Sequence, residues 1–189
     1  DQGNEIINYS DDKFLETGLE QVALLAGNDG FFRAFDVTNG EQLYAVMPSE
    51  MLPLIPELQE RKTIASDVPR LYGLDGTVHI YHNDLDKDGY VNPGEQAIAY
   101  VSAGRGGRAL YAIDITSKET PTLLWKIEGN KGDQFNSLGY TWSTPVTGKM
   151  KLGTDVKNVV IFGGGYDPHQ DEITERAEDS MGNEIYILD

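Results

Sequence analysis

Apolar residues in this chain fall in short runs of about five to seven, often alternating with polar ones and closed by glycine-rich turns, which is strand rather than helix patterning. Three places share one order of elements: an apolar strand ending in small residues, a glycine turn, then a short strand ending in Asp. They read QVALLAGNDGFFRAFD (21–36), AIAYVSAGRGGRALYAID (97–114) and NVVIFGGGYD (158–167), the last followed by NEIYILD (183–189). The first two lead into another strand with an aromatic residue, Tyr44 in EQLYAV and Trp125 in PTLLWKI. In ALYAID, Leu110 and Ala112, with Asp114, point to one side and Tyr111 and Ile113 to the other, which predicts a strand packed on both faces.

The strand-terminal aspartates Asp36, Asp114 and Asp189 recur at roughly 75-residue intervals, longer than the roughly 40 to 50 residues of a simple propeller blade. Insertions account for the excess. SEMLPLIPELQERKTIA (49–65) is the best helical segment, with Met51, Leu54, Ile55 and Leu58 at helical spacing and Pro53 and Pro56 interrupting; it is expected to pack across the rim. DVPRLYGL (67–74) and YTWSTPVTGKM (140–150) read as matched innermost strands. The expected fold class is all-β: a partial β-propeller of antiparallel blades, with a short helical insertion and an EF-hand-like calcium loop between strands. Residues 1–189 are read as a fragment of a single β-propeller domain, about two to three blades with approximate units 1–50, 64–128 and 139–189. A closed ring takes about four to eight blades, so either more blades belong to the protein or copies pair through open edges.

Charge narrows the partners. With 31 Asp and Glu against 15 Lys and Arg, the net charge of −16 disfavours nucleic acid and anionic membranes. No cysteine is present, which excludes disulfides and thiolate metal sites and leaves oxygen ligands. No apolar run approaches the roughly 18 residues of a membrane helix, and DQGNEIINYSDD lacks the order of a signal peptide, so the chain reads as soluble, mature or an excised piece, without membrane insertion.

The sharpest motif is DLDKDGYVNPGE (84–95), which fits a twelve-residue calcium loop. Asp84, Asp86 and Asp88 occupy positions 1, 3 and 5, Gly89 the bend at 6, and Glu95 position 12. Tyr90 offers its carbonyl, Asn92 a direct or water-bridged ligand, and Glu95 two oxygens. Four carboxylates held together repel one another without a cation, so the loop is expected to be strained or disordered without metal. A bidentate Glu favours calcium over magnesium. The flanks GTVHIYH and QAIAYVSAG read as strands, not EF-hand helices. The competing reading is an Asp- and Gly-rich hairpin whose side chains cap their own backbone.

Other groups are weaker. His79, His82 and His169 have no metal-site spacing; His79 and His82 read as surface or interstrand residues. Asp167, His169, Asp171 and Glu172 lie in or beside the acidic stretch 168–182 and form a second candidate cation site against the reading of a solvated loop. GRGGR (104–108) offers Arg105 and Arg108 beside glycines for an anion, but lacks the following helix and Lys-Ser/Thr pair of a phosphate loop and reads as a tight turn. No nucleophile elbow or cysteine nucleophile occurs, so no catalytic residue is assigned.

The ordered set AGNDGFFRAFDVTNGEQLYAVMPSEMLP, YVSAGRGGRALYAIDIT with LLWKI, SLGYTWSTPV, VVIFGGGYD and GNEIYILD resembles the C-terminal propeller of the PilC/PilY family of type IV pilus tip-associated adhesins, from about Leu24 to Asp189. The first twenty or so residues remain unassigned. The resemblance implies a non-enzymatic role in pilus biogenesis, in balancing extension against retraction, and in adhesion or twitching motility. It implies type IV pilus components, minor or major pilins, as partners, with a host-cell receptor as a further one. The place implied is extracytoplasmic: the pilus tip, cell surface or outer membrane of a Gram-negative bacterium. It also implies calcium as the cofactor, with Asp84, Asp86, Asp88 and Glu95 in the regulatory loop. GRGGR is no Arg-Gly-Asp motif, so integrin binding does not carry over. Ala34, Asp36, Gly40 and Tyr44 also resemble the blade pattern of quinoprotein propellers, with Tyr for Trp, a pattern that is mostly structural there. A calcium-assisted quinoprotein-like dehydrogenase and a calcium-stabilised scaffold therefore remain as alternatives.

Overall fold

The structure is a computed structural model that describes residues 4–9, 20–60, 71–171 and 177–189. Among the described residues, eleven strands form three antiparallel sheets. Sheet I contains β1 (Asn4–Tyr9), β2 (Glu20–Ala26), β3 (Phe32–Asp36) and β4 (Gln42–Val46) in that spatial order. Sheet II contains β5 (Val78–His82), β6 (Ala97–Ser102), β7 (Ala109–Asp114) and β8 (Thr122–Glu128) in the same order. Sheet III contains β9 (Val146–Leu152), β10 (Asp155–Gly163) and β11 (Ile185–Leu188). Each is a meander in chain order, as hairpin connections dictate. The described residues build three successive sheets rather than a closed ring.

The repeat goes down to single residues. Sheets I and II carry a register irregularity at the same place, between Ala34 and Phe35 and between Ala112 and Ile113. Each lies just before the strand-terminal Asp, and the preceding alanine faces the aromatic of the fourth strand: Ala34 opposite Tyr44, Ala112 opposite Trp125. Asp36 accepts the Thr38 amide at 2.7 Å and Asp114 the Thr116 amide at 2.9 Å, so both aspartates cap the turn that follows. Gly40, at φ 74°, completes the first turn, and Tyr44 packs on Phe32 at 6.0 Å. The Ala34 to Tyr44 pattern thus builds the sheet and its turn.

Sheet II is packed on both faces. Val101, Tyr111 and Ile113 share a buried cluster with Ile7, Val22, Leu24 and Phe32 of sheet I. Leu110, Ala112 and Ile127 share another with Val160, Phe162 and Tyr186 of sheet III. The two-sided alternation read in ALYAID is what places Leu110 and Tyr111 in different clusters. Burying each large aliphatic side chain contributes about 1.5–3 kcal/mol.

One unassigned stretch is placed and two expected strands are corrected. NEIINY, within the unassigned first twenty residues, is the edge strand β1, with six register pairs along β2 from Asn4–Leu25 to Tyr9–Glu20. Residues 71–74 of the expected innermost strand 67–74 are not a strand, and 67–70 lie outside the described residues; β5 has that place in sheet II. In 140–150 the strand begins only at Val146, after Pro145. The helical insertion resolves into a short 3-10 turn, Ser49–Met51, and α1 (Leu54–Glu60), with Met51 buried and Leu54 half-buried against the core; 61–65 lie outside the described residues.

Candidate metal centre

The calcium-like loop joins β5 to β6. The hairpin base is closed by the Asn83 amide donating to the Gln96 carbonyl at 2.8 Å, so strands hold both ends of the loop where an EF-hand has helices. Asp84, Asp86 and Asp88 converge: one carboxylate oxygen from each lies within 4.8 Å of the others. Backbone amides set their directions. Asp84 accepts from Lys87 at 2.6 Å and Gly89 at 3.0 Å, Asp88 accepts from Tyr90 at 2.8 Å, and Asp86 accepts a longer bond from Asp88 at 3.3 Å. Lys87 (φ 65°) and Gly89 (φ 82°) take the left-handed backbone that folds the loop this tightly.

Asn92 and Glu95 sit differently. The Asn92 side-chain amide donates to Asp86 at 3.1 Å and Asp88 at 3.0 Å, bracing the two carboxylates. Glu95 is buried and ties the loop shut: one oxygen accepts the Leu85 amide at 2.6 Å, the other the Asn92 amide at 3.0 Å, with the His82 ring nitrogen also 3.0 Å away. A carboxylate has about four lone-pair sites, so these bonds leave acceptor capacity on Glu95. The Glu95 carboxyl is pushed down to about 2, chiefly by the Asn92 and Leu85 amides and then by His82, against the opposing effect of burial. Asp86 is held above the usual carboxylate range by loss of hydration within the loop and by the negative charges of Asp88, Glu95 and Asp84. Asp88 is held below it by the Asn92 side chain and the Tyr90 amide. Charges that disfavour one another at Asp86 are the electrostatic condition a divalent cation relieves.

The three convergent Asp side chains are hard oxygen donors of the kind calcium takes, with the Tyr90 carbonyl in the connecting backbone, whereas the Glu95 oxygens are engaged by the Leu85 and Asn92 amides and the His82 ring. His82, read as an ordinary surface or interstrand residue, partners the buried Glu95 instead. The only sequence hint was its place two residues before the loop.

The other candidates resolve into internal bonds. Asp167 is 2 % exposed and accepts from the His169 amide at 2.9 Å, the Ser180 amide at 2.6 Å and the Ser180 hydroxyl at 2.9 Å. The His169 ring approaches Asp167 through Nδ1 at 3.0 Å, and Ser180 faces the same nitrogen at 3.2 Å, so the three groups are not arranged as a relay through both ring nitrogens. Asp171 binds Arg105 at 2.5 Å and Tyr166 at 2.9 Å; Glu172 lies outside the described residues. In GRGGR, the Arg105 and Gly106 amides bind the Asp75 carboxylate at 2.6 and 3.3 Å, so a carboxylate of the chain itself occupies that cradle. Arg108 donates to the Leu138 and Asn136 carbonyls at 2.6 and 2.7 Å.

Fold and site together define a chain of consecutive antiparallel meanders with an acidic, calcium-loop-like hairpin in the second. Comparison with known proteins places relatives beside it. No family model matches the chain. It is 27 % identical over 151 residues to the type IV pilus biogenesis factor PilY1 of Pseudomonas aeruginosa strain PAO1, covering 78 % of this chain and 12 % of that protein. A PilY1 homologue of Xylella fastidiosa is 27 % identical over 136 residues, 70 % of this chain and 10 % of the relative. The crystal structure of the Pseudomonas aeruginosa PilY1 C-terminal domain matches with a TM-score of 0.53 at 22 % identity, over 80 % of this chain and 26 % of that one. The chain is thus related in sequence to PilY1-named pilus biogenesis factors over most of its length, and shares the fold of their C-terminal domain. It spans about a tenth of the length of the curated relatives it matches.

Proposed function

We propose that this chain is a calcium-binding part of a type IV pilus biogenesis factor, a β-propeller segment in which Asp84, Asp86 and Asp88, with the Tyr90 carbonyl, Asn92 and Glu95, hold the ion. The observation that carries the reading is the convergence of the three Asp carboxylates over a hairpin closed by buried Glu95. Calcium supplies positive charge that relieves repulsion among those carboxylates when bound. The chain's own part is to order a single hairpin on sheet II and so present a fixed surface at the loop. The relatives' names, type IV pilus biogenesis factors, support pilus components as partners and an extracytoplasmic place at the pilus tip or cell surface. Roles in extension, retraction, motility and adhesion to a host receptor belong to the same proposal. The reading is non-enzymatic: the relatives are named for pilus biogenesis, and the Ala34 to Tyr44 pattern serves a blade turn. Among the described residues, no helix is long and apolar enough to cross a membrane.

Isothermal titration with calcium tests the site. The unmodified chain is expected to give a saturable heat, and Asp86→Ala plus Asp88→Ala none; no heat from the unmodified chain refutes the site. A calcium-stabilised scaffold is the second reading, favoured by the burial of Val91 within the loop. It predicts that calcium raises the melting temperature while binding of purified pilins is the same with calcium or a chelator.

A further inference from the structure

Val91 lies at the eighth place of the acidic loop, between the Tyr90 carbonyl position and Asn92. Its neighbours face solvent or the loop interior, yet Val91 is 5 % exposed and belongs to the core shared by sheets I and II, with Ile7, Tyr9 and Ile115. Its amide donates to the Asn8 carbonyl of β1 at 2.9 Å, making a parallel bridge between Val91 and Tyr9. The Asn8 side chain reaches the Gly89 carbonyl at 3.5 Å. Beside this bridge the Tyr9 hydroxyl donates to the Ile115 carbonyl, just past the end of β7, at 2.5 Å. The acidic loop of sheet II therefore grips the edge strand of sheet I by backbone and side chain together.

We propose that the loop is a metal-dependent staple: cation binding among Asp84, Asp86 and Asp88 fixes Val91 against Asn8 and Tyr9 and so locks β1 and sheet I onto sheet II. This rests on the calcium reading and adds where occupancy of the site is felt. The mechanical link is short. Asp88 and Asn92 bracket Val91 in sequence, Asn92 is braced to Asp86 and Asp88, and Gly89 carries a bond to each side, its amide to Asp84 and its carbonyl to Asn8. A loop splayed by carboxylate repulsion cannot keep the Val91 amide on a fixed strand edge, because the same few peptide units form the ion's shell and the bridge. The coupling is reciprocal: a docked β1 holds the loop in its binding geometry, so it tightens metal binding by the factor with which metal tightens β1.

The experiment combines hydrogen–deuterium exchange read by mass spectrometry with calcium titration on the chain and on Val91→Ala, which keeps every proposed ligand. Adding calcium to a chelator-treated sample is expected to slow exchange over residues 4–9 as well as over 84–95. In Val91→Ala, calcium is expected to bind with the same stoichiometry but about fivefold or more weakly, and to slow exchange over 84–95 with little effect over 4–9. Asn8→Ala, which keeps the Val91 bridge and removes the long contact to Gly89 together with the bond from the Gln21 side chain at 3.1 Å, is expected to fall between the two and guards against a folding defect in Val91→Ala. If the unmodified chain takes up no calcium, the metal reading falls and this inference with it. If calcium binds and protects 84–95 while exchange over 4–9 stays the same, this inference alone falls. Unaltered affinity in Val91→Ala overturns it as well.

Discussion

Tyr9→Phe isolates one hydrogen bond between sheets I and II. Tyr9 is 5 % exposed, and its hydroxyl donates to the Ile115 carbonyl at 2.5 Å beside the Val91 bridge. Burial, with the nearby Tyr44 and Asp114, pushes the phenol far above its ordinary range, so it remains a donor wherever the fold persists. Phenylalanine keeps the ring and deletes the donor. The lost bond is worth about 1 kcal/mol net, and an acceptor left poorly satisfied in an apolar cluster adds about 1–3 kcal/mol, so a destabilisation of about 2 kcal/mol is expected. For a chain of this size that is about 4–8 °C in melting temperature. Tyr111→Phe is the internal reference: Tyr111 is 2 % exposed, and its hydroxyl has no hydrogen-bond partner among the described residues. Removing it relieves an uncompensated desolvation, so the change should be neutral or stabilising by up to about 1 kcal/mol. Urea unfolding followed by circular dichroism reads both, with an unchanged denaturant slope as the check on cooperativity. Equal effects of the two substitutions, or a neutral Tyr9→Phe, would refute the assignment of that bond as the tie between the sheets.

Four further expectations follow from close approaches, buried charge and core packing. A β-carbon at Gly106 would overlap the Gly73 carbonyl, so Gly106→Ala should cost about 1–3 kcal/mol or more in a thermal melt. Gly148→Ala on β9, where an added β-carbon meets nothing within 4 Å, should be neutral or stabilising by about 0.4–1 kcal/mol. Asp167, despite the opposing effect of burial, is held well below its ordinary 3.8 by the His169 and Ser180 amides, the Ser180 hydroxyl and the His169 ring. A depressed carboxylate contributes stability above its unfolded pKa and loses it as pH falls towards the folded value, so exchange over 177–182 should accelerate below about pH 3.8. Asp167→Asn should exchange fast already at neutral pH and show a flatter acid dependence. Leu110→Ala, at a side chain 1 % exposed between sheets II and III, should cost about 2–5 kcal/mol by urea unfolding.

What the sequence discloses is local. Alternation in ALYAID and the Asp-ended strands mark β7 and β3 because side-chain direction has period two and a capped turn needs its Asp at a fixed place. The acidic loop is legible because its carboxylates lie at alternate positions of one short stretch, so chain spacing alone brings Asp84, Asp86 and Asp88 together. The rest depends on partners distant in sequence. NEIINY is short and carries two Asn, weak strand formers, and becomes β1 only by pairing with β2 and with Val91. His82 looks like any strand-end histidine until β5 and β6 pair and set it beside Glu95. Residues 71–74 mimic a strand in composition, but Gly73 is required for close backbone approach to Gly30 and Gly106, which a regular ladder would not permit.

Placing an acidic loop between strands instead of helices alters what a bound ion could control. Two helices can pivot as rigid levers about their loop, and the output is a groove opened between them. Here β5 and β6 are tied by five register pairs from Val78–Val101 to His82–Ala97, and Glu95 with Asn83 and Gln96 pins the hairpin base. Neither strand can swing without breaking sheet II, whose two faces are both buried. The remaining freedom lies in the loop itself and in what it touches, and the touched element is β1, an edge strand with β2 on one side and Val91 at its end. On the proposed reading, a change of charge in this loop is expressed as a change in how one sheet is held against the next. Such a coupling suits a protein built of repeated sheets, because it alters an interface while leaving each sheet intact.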